Sequence, residues 1–146
     1  SVLGFISLPY RGLYSATKYS IEALTDALRR ENYDSKIKFV LIQPGPINTD
    51  IKKKSVKHFE KWIDWKKSIH KKTYENKVIK RLYDNNYKDS FNSYELQPDE
   101  VTKILINVLN SKKPKARYKI TIQTKIAQIM TKLLPTNTLD WFFKIW

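Results

Sequence analysis

Apolar residues recur at Tyr14, Ile21, Leu24, Ala27 and Leu28, and neither Pro nor Gly interrupts the chain from Leu13 to Tyr33. Spacings of three and four residues predict an amphipathic helix there, with one buried face. Ahead of it, SVLGFISLPYRG mixes apolar residues with Gly4, Pro9 and Gly12 and reads as the end of a strand running into a loop. The pattern then changes. IKFVLIQ, from Ile37 to Gln43, is a short β-branched run stopped by Pro44 and Gly45, as a buried parallel strand would be. Residues Lys52 to Gln97 are polar and lysine-rich with scattered aromatics (Phe59, Trp62, Trp65, Tyr74, Tyr83, Tyr87), mostly at helical spacing. This segment reads as an insertion over a site. PDEVTKILINVLNS opens on Pro98 and two acids and lines up Val101, Ile104, Leu105, Val108 and Leu109, so a helix starts at the proline. After Pro114, RYKITI alternates as a strand, and KIAQIMTKLL forms a helix ended by Pro135. The tail LDWFFKIW is aromatic and amphipathic; it packs into the core or lies on a groove or membrane surface. Helices alternating with strands give an α/β class.

Composition narrows the range of functions. At 146 residues, 41% hydrophobic and 13% aromatic, the chain fits one domain with a modest core. Cysteine is absent, which removes disulfides, thiolate nucleophiles and cysteine metal sites and agrees with a reducing, cytoplasmic compartment. His58 and His70 stand 12 apart and suit a surface better than a metal site. No apolar run approaches the roughly 18 residues of a membrane-crossing helix, and no secretory signal can be read in a sequence that opens on Ser1. The net charge of +14 invites nucleic acid or an anionic membrane as partner. Yet only 5 of the 28 basic residues are Arg, and the lysines are scattered among Asn and Ile, as codon bias would produce. Dedicated readers of nucleic acid show a localised, arginine-bearing stripe, so no specific nucleic-acid partner is expected.

Within YSATKYSIEAL, Tyr14 and Lys18 are four positions apart at the start of the first helix. In a chain this rich in both residues, about one such pair arises by chance. Its chemistry is more telling than its frequency. Side chains at i and i+4 share a helix face with Cβ atoms about 5–6 Å apart, and an ammonium at about 5 Å favours a phenolate by about 3 kcal/mol at an effective dielectric of ~20. A phenol so placed could exchange a proton near neutrality.

Two further features make the pair specific. Ser1 stands thirteen residues before Tyr14, and PGPINTD begins 26 residues after Lys18, at the end of the next strand. Together with YSATK and with Pro44, Gly45, Ile47 and Thr49, this pattern resembles the short-chain dehydrogenase/reductases. PDEVTKIL, KPKARYKI and LLPTNTLDWFFKIW are similar to the ends of the subgroup of 17β-hydroxysteroid and retinol dehydrogenase-like enzymes, so the resemblance covers nearly the whole chain.

The resemblance implies the C-terminal portion of a Rossmann-type, doubly wound parallel sheet, with a helical substrate-lid insertion at 52–97 and a C-terminal helix. It implies an NAD- or NADP-dependent oxidoreductase interconverting an alcohol and a ketone or aldehyde of apolar character. Tyr14 would be the general acid/base, with a place beside the cofactor as well, Lys18 its electrostatic partner on the nicotinamide ribose, and Ser1 the holder of the reacting oxygen. Pro44, Gly45, Ile47 and Thr49 would receive the nicotinamide end. A full-length homo-oligomer is implied as well. The chain also departs from the family: its three glycines, at 4, 12 and 45, form no glycine-rich pyrophosphate turn. Alone it is therefore expected to be inactive, to bind NAD(P) weakly and to expose large apolar patches. A noncatalytic remnant or interaction module is the alternative.

Overall fold

The computed structural model describes residues 1–84 and 94–144 and divides into two compact units, Ser1–Ile47 with Leu96–Trp146, and Asn48–Glu95. Tyr87, within the expected lid, and Ile145 and Trp146 of the tail lie outside the described residues.

The first unit opens on a 3-10 turn, Val2–Gly4, rather than on the expected strand end. Ser1 enforces the turn, because its Oγ accepts from the Leu3 amide at 3.2 Å and its carbonyl accepts from Gly4. Val2, Leu3, Ile6 and Leu8 are buried and form most of this unit's apolar core, together with Leu41 and Ala127. Tyr10, at φ 62, is the one non-glycine residue with positive φ among those described. It turns the chain into α1, Gly12–Glu31, at a cost of about 1–3 kcal/mol.

The sequence correctly places α1 but misassigns its buried face. The face turned inward is polar: Ser15 is buried, and Lys18, Glu22, Asp26 and Arg29 are half-buried. Tyr14, Ile21 and Leu24 are exposed, and only Ala27 and Leu28 of the apolar positions are half-buried. The cause lies across the contact. Gln43 Nε2 donates to Glu22 Oε1 at 2.6 Å, and Arg117 donates through Nε to Glu22 Oε2 at 3.0 Å and through Nη2 to Asp26 Oδ1 at 2.8 Å. Buried polar groups with charge-assisted partners hold the helix that way round.

The sheet has two parallel strands, β1, Leu41–Gln43, and β2, Arg117–Lys119, in register Leu41↔Arg117 to Gln43↔Lys119. Both are shorter than IKFVLIQ and RYKITI imply. A strand exists only where a neighbour completes its ladder, and the shared stretch is three residues long. Before β2 comes α5, Pro98–Leu109, with Pro98 in its first turn beside Asp99 and Glu100. Val101, Ile104 and Val108 are half-buried there, while Leu105 and Leu109 face solvent.

After β2, α6, Ile122–Leu133, starts three residues before the expected KIAQIM run. Thr121 causes this: its Oγ1 accepts from the Thr124 amide at 3.2 Å, an N-cap that stops the strand and begins the helix. Helix α7, Thr136–Lys144, follows Pro135, with Trp141 and Phe142 edge to face at 5.1 Å. No helix among the described residues is long and apolar enough to cross a membrane. The partial, parallel α/β arrangement is that of a Rossmann-type sheet.

The second unit is mostly helical in its described residues, as its spacing implies. It comprises α2, Ile51–Trp62, a 3-10 turn Trp65–Lys67, and a helical run of α3, Lys71–Thr73, a π-helical segment Tyr74–Ile79, and α4, Lys80–Tyr83. The two ends of the unit meet. Phe59 lies 6.2 Å from Tyr74 between ring centroids, Tyr83 donates to Glu60 at 2.7 Å, and Lys52 donates to the Asp84 carbonyl at 2.6 Å.

Candidate active site

Tyr14 and Lys18 occupy successive turns of α1, and the Lys18 ammonium stands over the Tyr14 ring, 5.3 Å from its centroid. The phenol is 40% exposed and so open to a ligand, whereas Lys18 is half-buried. The N-terminal turn lies against this part of the helix. A Cβ on Gly4 would fall 3.2 Å from the Lys18 carbonyl oxygen and 3.0 Å from Glu22 Cγ, so glycine permits the approach.

The loop after β1 is fastened at several points. The Pro44 carbonyl accepts from Val2 at 2.9 Å, the Pro46 carbonyl accepts from Leu96 at 3.2 Å, and Ile47 pairs with Leu96 in an isolated parallel bridge. Gly45 sits on the start of α6: a Cβ there would overlap Thr121 Oγ1 and lie 2.8 Å from Thr124 Oγ1. Those hydroxyls are buried and 2.9 Å apart. Ser1, Lys18 and the Pro44 loop are thus linked through residues 1–4, with Tyr14 stacked under Lys18. Thr49 belongs to the second unit, where its exposed Oγ1 accepts from the Ile51 amide at 3.5 Å.

Sequence inspection alone overlooks the residues that hold α1 against the sheet. Gln43, Glu22, Arg117 and Asp26 form one network, extended by Arg29, which donates to Asp26 at 3.2 Å. The Arg117 hydrogen bond, aided by Arg29 and opposed by burial, holds the Asp26 carboxyl below its ordinary pKa. Asp26 in turn raises the Arg117 guanidinium. The signal was present as the three-and-four spacing of Ser15, Lys18, Glu22, Asp26 and Arg29, a polar stripe that looks solvated when read without its partners. Ser15 Oγ and Gln43 Oε1 are buried with no hydrogen-bond partner among the described residues.

A Tyr–Lys pair on the helix before a parallel strand, and a Pro-Gly loop at that strand's carboxyl end, define a class of protein. The chain belongs to the short-chain dehydrogenase/reductase family; the family model described as short chain dehydrogenase matches residues 1–60. Over 96% of its length the chain is 36% identical to an uncharacterized oxidoreductase, YbbO, of Escherichia coli strain K12, covering 44% of that protein. It is 31% identical to an NADPH-dependent 3-dehydrocapnine reductase of Ornithobacterium rhinotracheale, over 98% of this chain and 47% of the relative. It is also 31% identical to 17-beta-hydroxysteroid dehydrogenase type 6 of Rattus norvegicus, over 99% of this chain and 46% of the relative. The chain spans about half the length of the curated relatives it matches, and corresponds to their C-terminal part.

Proposed function

We propose that these residues form the proton-transfer half of an NAD(P)-dependent oxidoreductase that interconverts an apolar alcohol and its ketone or aldehyde. The observation that carries this is the Lys18 ammonium 5.3 Å from the centroid of a half-exposed Tyr14 ring. Tyr14 takes the hydroxyl proton of an alcohol, or returns it to a carbonyl oxygen, and Lys18 stabilises the phenolate that results. Ser1 Oγ hydrogen-bonds the same substrate oxygen.

The residues present fit the nicotinamide end of such a cofactor. Lys18 is a donor for a ribose hydroxyl, and the loop bearing Pro44, Gly45 and Ile47 is held by backbone bonds against the start of α6, where Gly45 leaves no room for a side chain. The family resemblance would add the Thr49 hydroxyl to the carboxamide contacts. When bound, the nicotinamide accepts or supplies the hydride. The pyrophosphate end calls for a glycine-rich turn, which these 146 residues do not contain. By the family resemblance residues 52–97 are the substrate-lid segment, and the aromatic residues in its sequence favour an apolar substrate. The relatives named as a hydroxysteroid dehydrogenase and a reductase support this reading.

The test places this segment behind a glycine-rich dinucleotide half and follows NAD(P)H absorbance with apolar secondary alcohols. Lys18→Ala should lower turnover and weaken cofactor binding together, because the ammonium serves both phenol and ribose. If Lys18→Ala changed thermal stability alone, the pair would be structural.

A further inference from the structure

Between residues 51 and 73 stand nine lysines against two acids, Glu60 and Asp64. On α2 the lysines are sorted by side. At about 100° per residue, Lys53, Lys54, Lys57 and Lys61 fall along one side of the helix, and Ile51, His58 and Trp62 form a column at its edge. All seven are exposed. Asp50, Lys53, Lys54, Lys57 and His58 line one shallow, open depression. The inward side is a different set, Lys52, Ser55, Val56 and Phe59, all half-buried. Lys52 and Phe59 fix it there through Asp84 and Tyr74.

The nearby carboxylates do not cancel this stripe. Asp50 pairs with Lys53 at 3.5 Å, and Glu60 accepts from Tyr83. Among the described residues no carboxylate pairs with Lys54, Lys57 or Lys61. Beside the charge lies exposed apolar surface. Trp62 is 69% exposed with the Lys61 ammonium 4.7 Å from its ring centroid, and Ile69, a few residues on, is 94% exposed.

We propose that this face of α2 docks on an anionic lipid bilayer, with the lysines on headgroup phosphates and with Ile51 and Trp62 at the boundary of the acyl region. Charge complementarity and chemistry both select that occupant. A lysine stripe edged by exposed apolar and aromatic side chains is the pattern of an interfacial helix. Nucleic acid would find no arginine for bidentate contacts on the stripe and would have no use for bare isoleucines. The inference does not depend on the redox chemistry proposed above.

The experiment is vesicle sedimentation of the 146-residue chain with phosphatidylcholine alone and with about one third phosphatidylglycerol added. Binding should occur with the anionic vesicles only and weaken as salt rises. Each lysine at such a surface contributes about fivefold, so Lys53→Glu with Lys54→Glu and Lys57→Glu should weaken binding by at least about a hundredfold. Trp62→Ser should weaken it by several fold. Reversing Lys112, Lys113 and Lys115, which carry equal charge outside this unit, should change affinity by less than about threefold. Thermal unfolding of each variant verifies folding. Absence of binding, equal binding to neutral vesicles, equal losses from the two triple reversals, or tighter binding to duplex DNA at physiological salt would overturn the proposal.

Discussion

Gly45 has no space for a side chain, because Thr121 and Thr124 already occupy the position of its Cβ. Gly45→Ala should therefore force the Pro44 loop away from α6 and cost about 1–3 kcal/mol, visible as a lower melting temperature, as overpacking does elsewhere. An unchanged melting temperature would mean that the loop relaxes freely. Asp26 makes a separate prediction. Its folded pKa lies below the unfolded one of 3.8 because Arg117 and Arg29 donate to it. The unfolded state then binds more protons in that window, so Asp26 contributes fully above the unfolded value and loses its contribution as pH falls through the folded one. Asp26→Asn should lower stability near neutrality and flatten the acid limb of unfolding below about pH 4; a parent-like acid limb would contradict the network. Tyr14 and Lys18 were legible in the sequence because a four-residue spacing fixes their contact on any helix. Glu22, Asp26 and Arg117 were not, since their partners lie up to 95 residues away.

Helix existence was legible wherever a 3.6-residue period or a proline marked it, as at α1 and α5. Boundaries and faces depended on tertiary partners. RYKITI alternates like one strand, yet Thr121 and Thr124 convert its end into a helix start through a hydroxyl cap. Thr121→Val keeps the shape and removes the cap. It should cost about 1–2 kcal/mol and raise amide exchange in the first turn of α6, whereas Thr121→Ser should restore most of the loss. Equal stability of the Val and Ser variants would assign Thr121 to packing alone. For α1, periodicity gave the helix but pointed to the wrong inward side, because a charged network outweighed an apolar stripe that meets no partner among the described residues.

The chain carries the proposed nicotinamide end of a dinucleotide site and two short parallel strands, and exposes apolar side chains such as Leu13, Leu24, Leu109 and Leu133. The family resemblance was legible from a few spaced residues because the chemistry fixes their order along strand, helix and loop. Substrate choice was not, since it depends on side chains whose spacing no backbone rule dictates. Without a glycine-rich turn to approach the pyrophosphate, the purified 146-residue chain should give a flat fluorescence titration with NADH and NADPH. A saturating signal in the micromolar range would show that these residues bind the cofactor unaided.

Proton transfer by Tyr14 is best tested by single-turnover kinetics of Tyr14→Phe, in this segment joined to a glycine-rich dinucleotide half. Phenylalanine keeps the ring under the Lys18 ammonium and removes only the hydroxyl. Loss of a general acid/base should reduce the chemical step by about 10²–10⁴-fold while the cofactor Kd stays within about twofold. A Phe variant that turns over at nearly the parent rate would contradict the assignment of Tyr14 as the proton-transfer group.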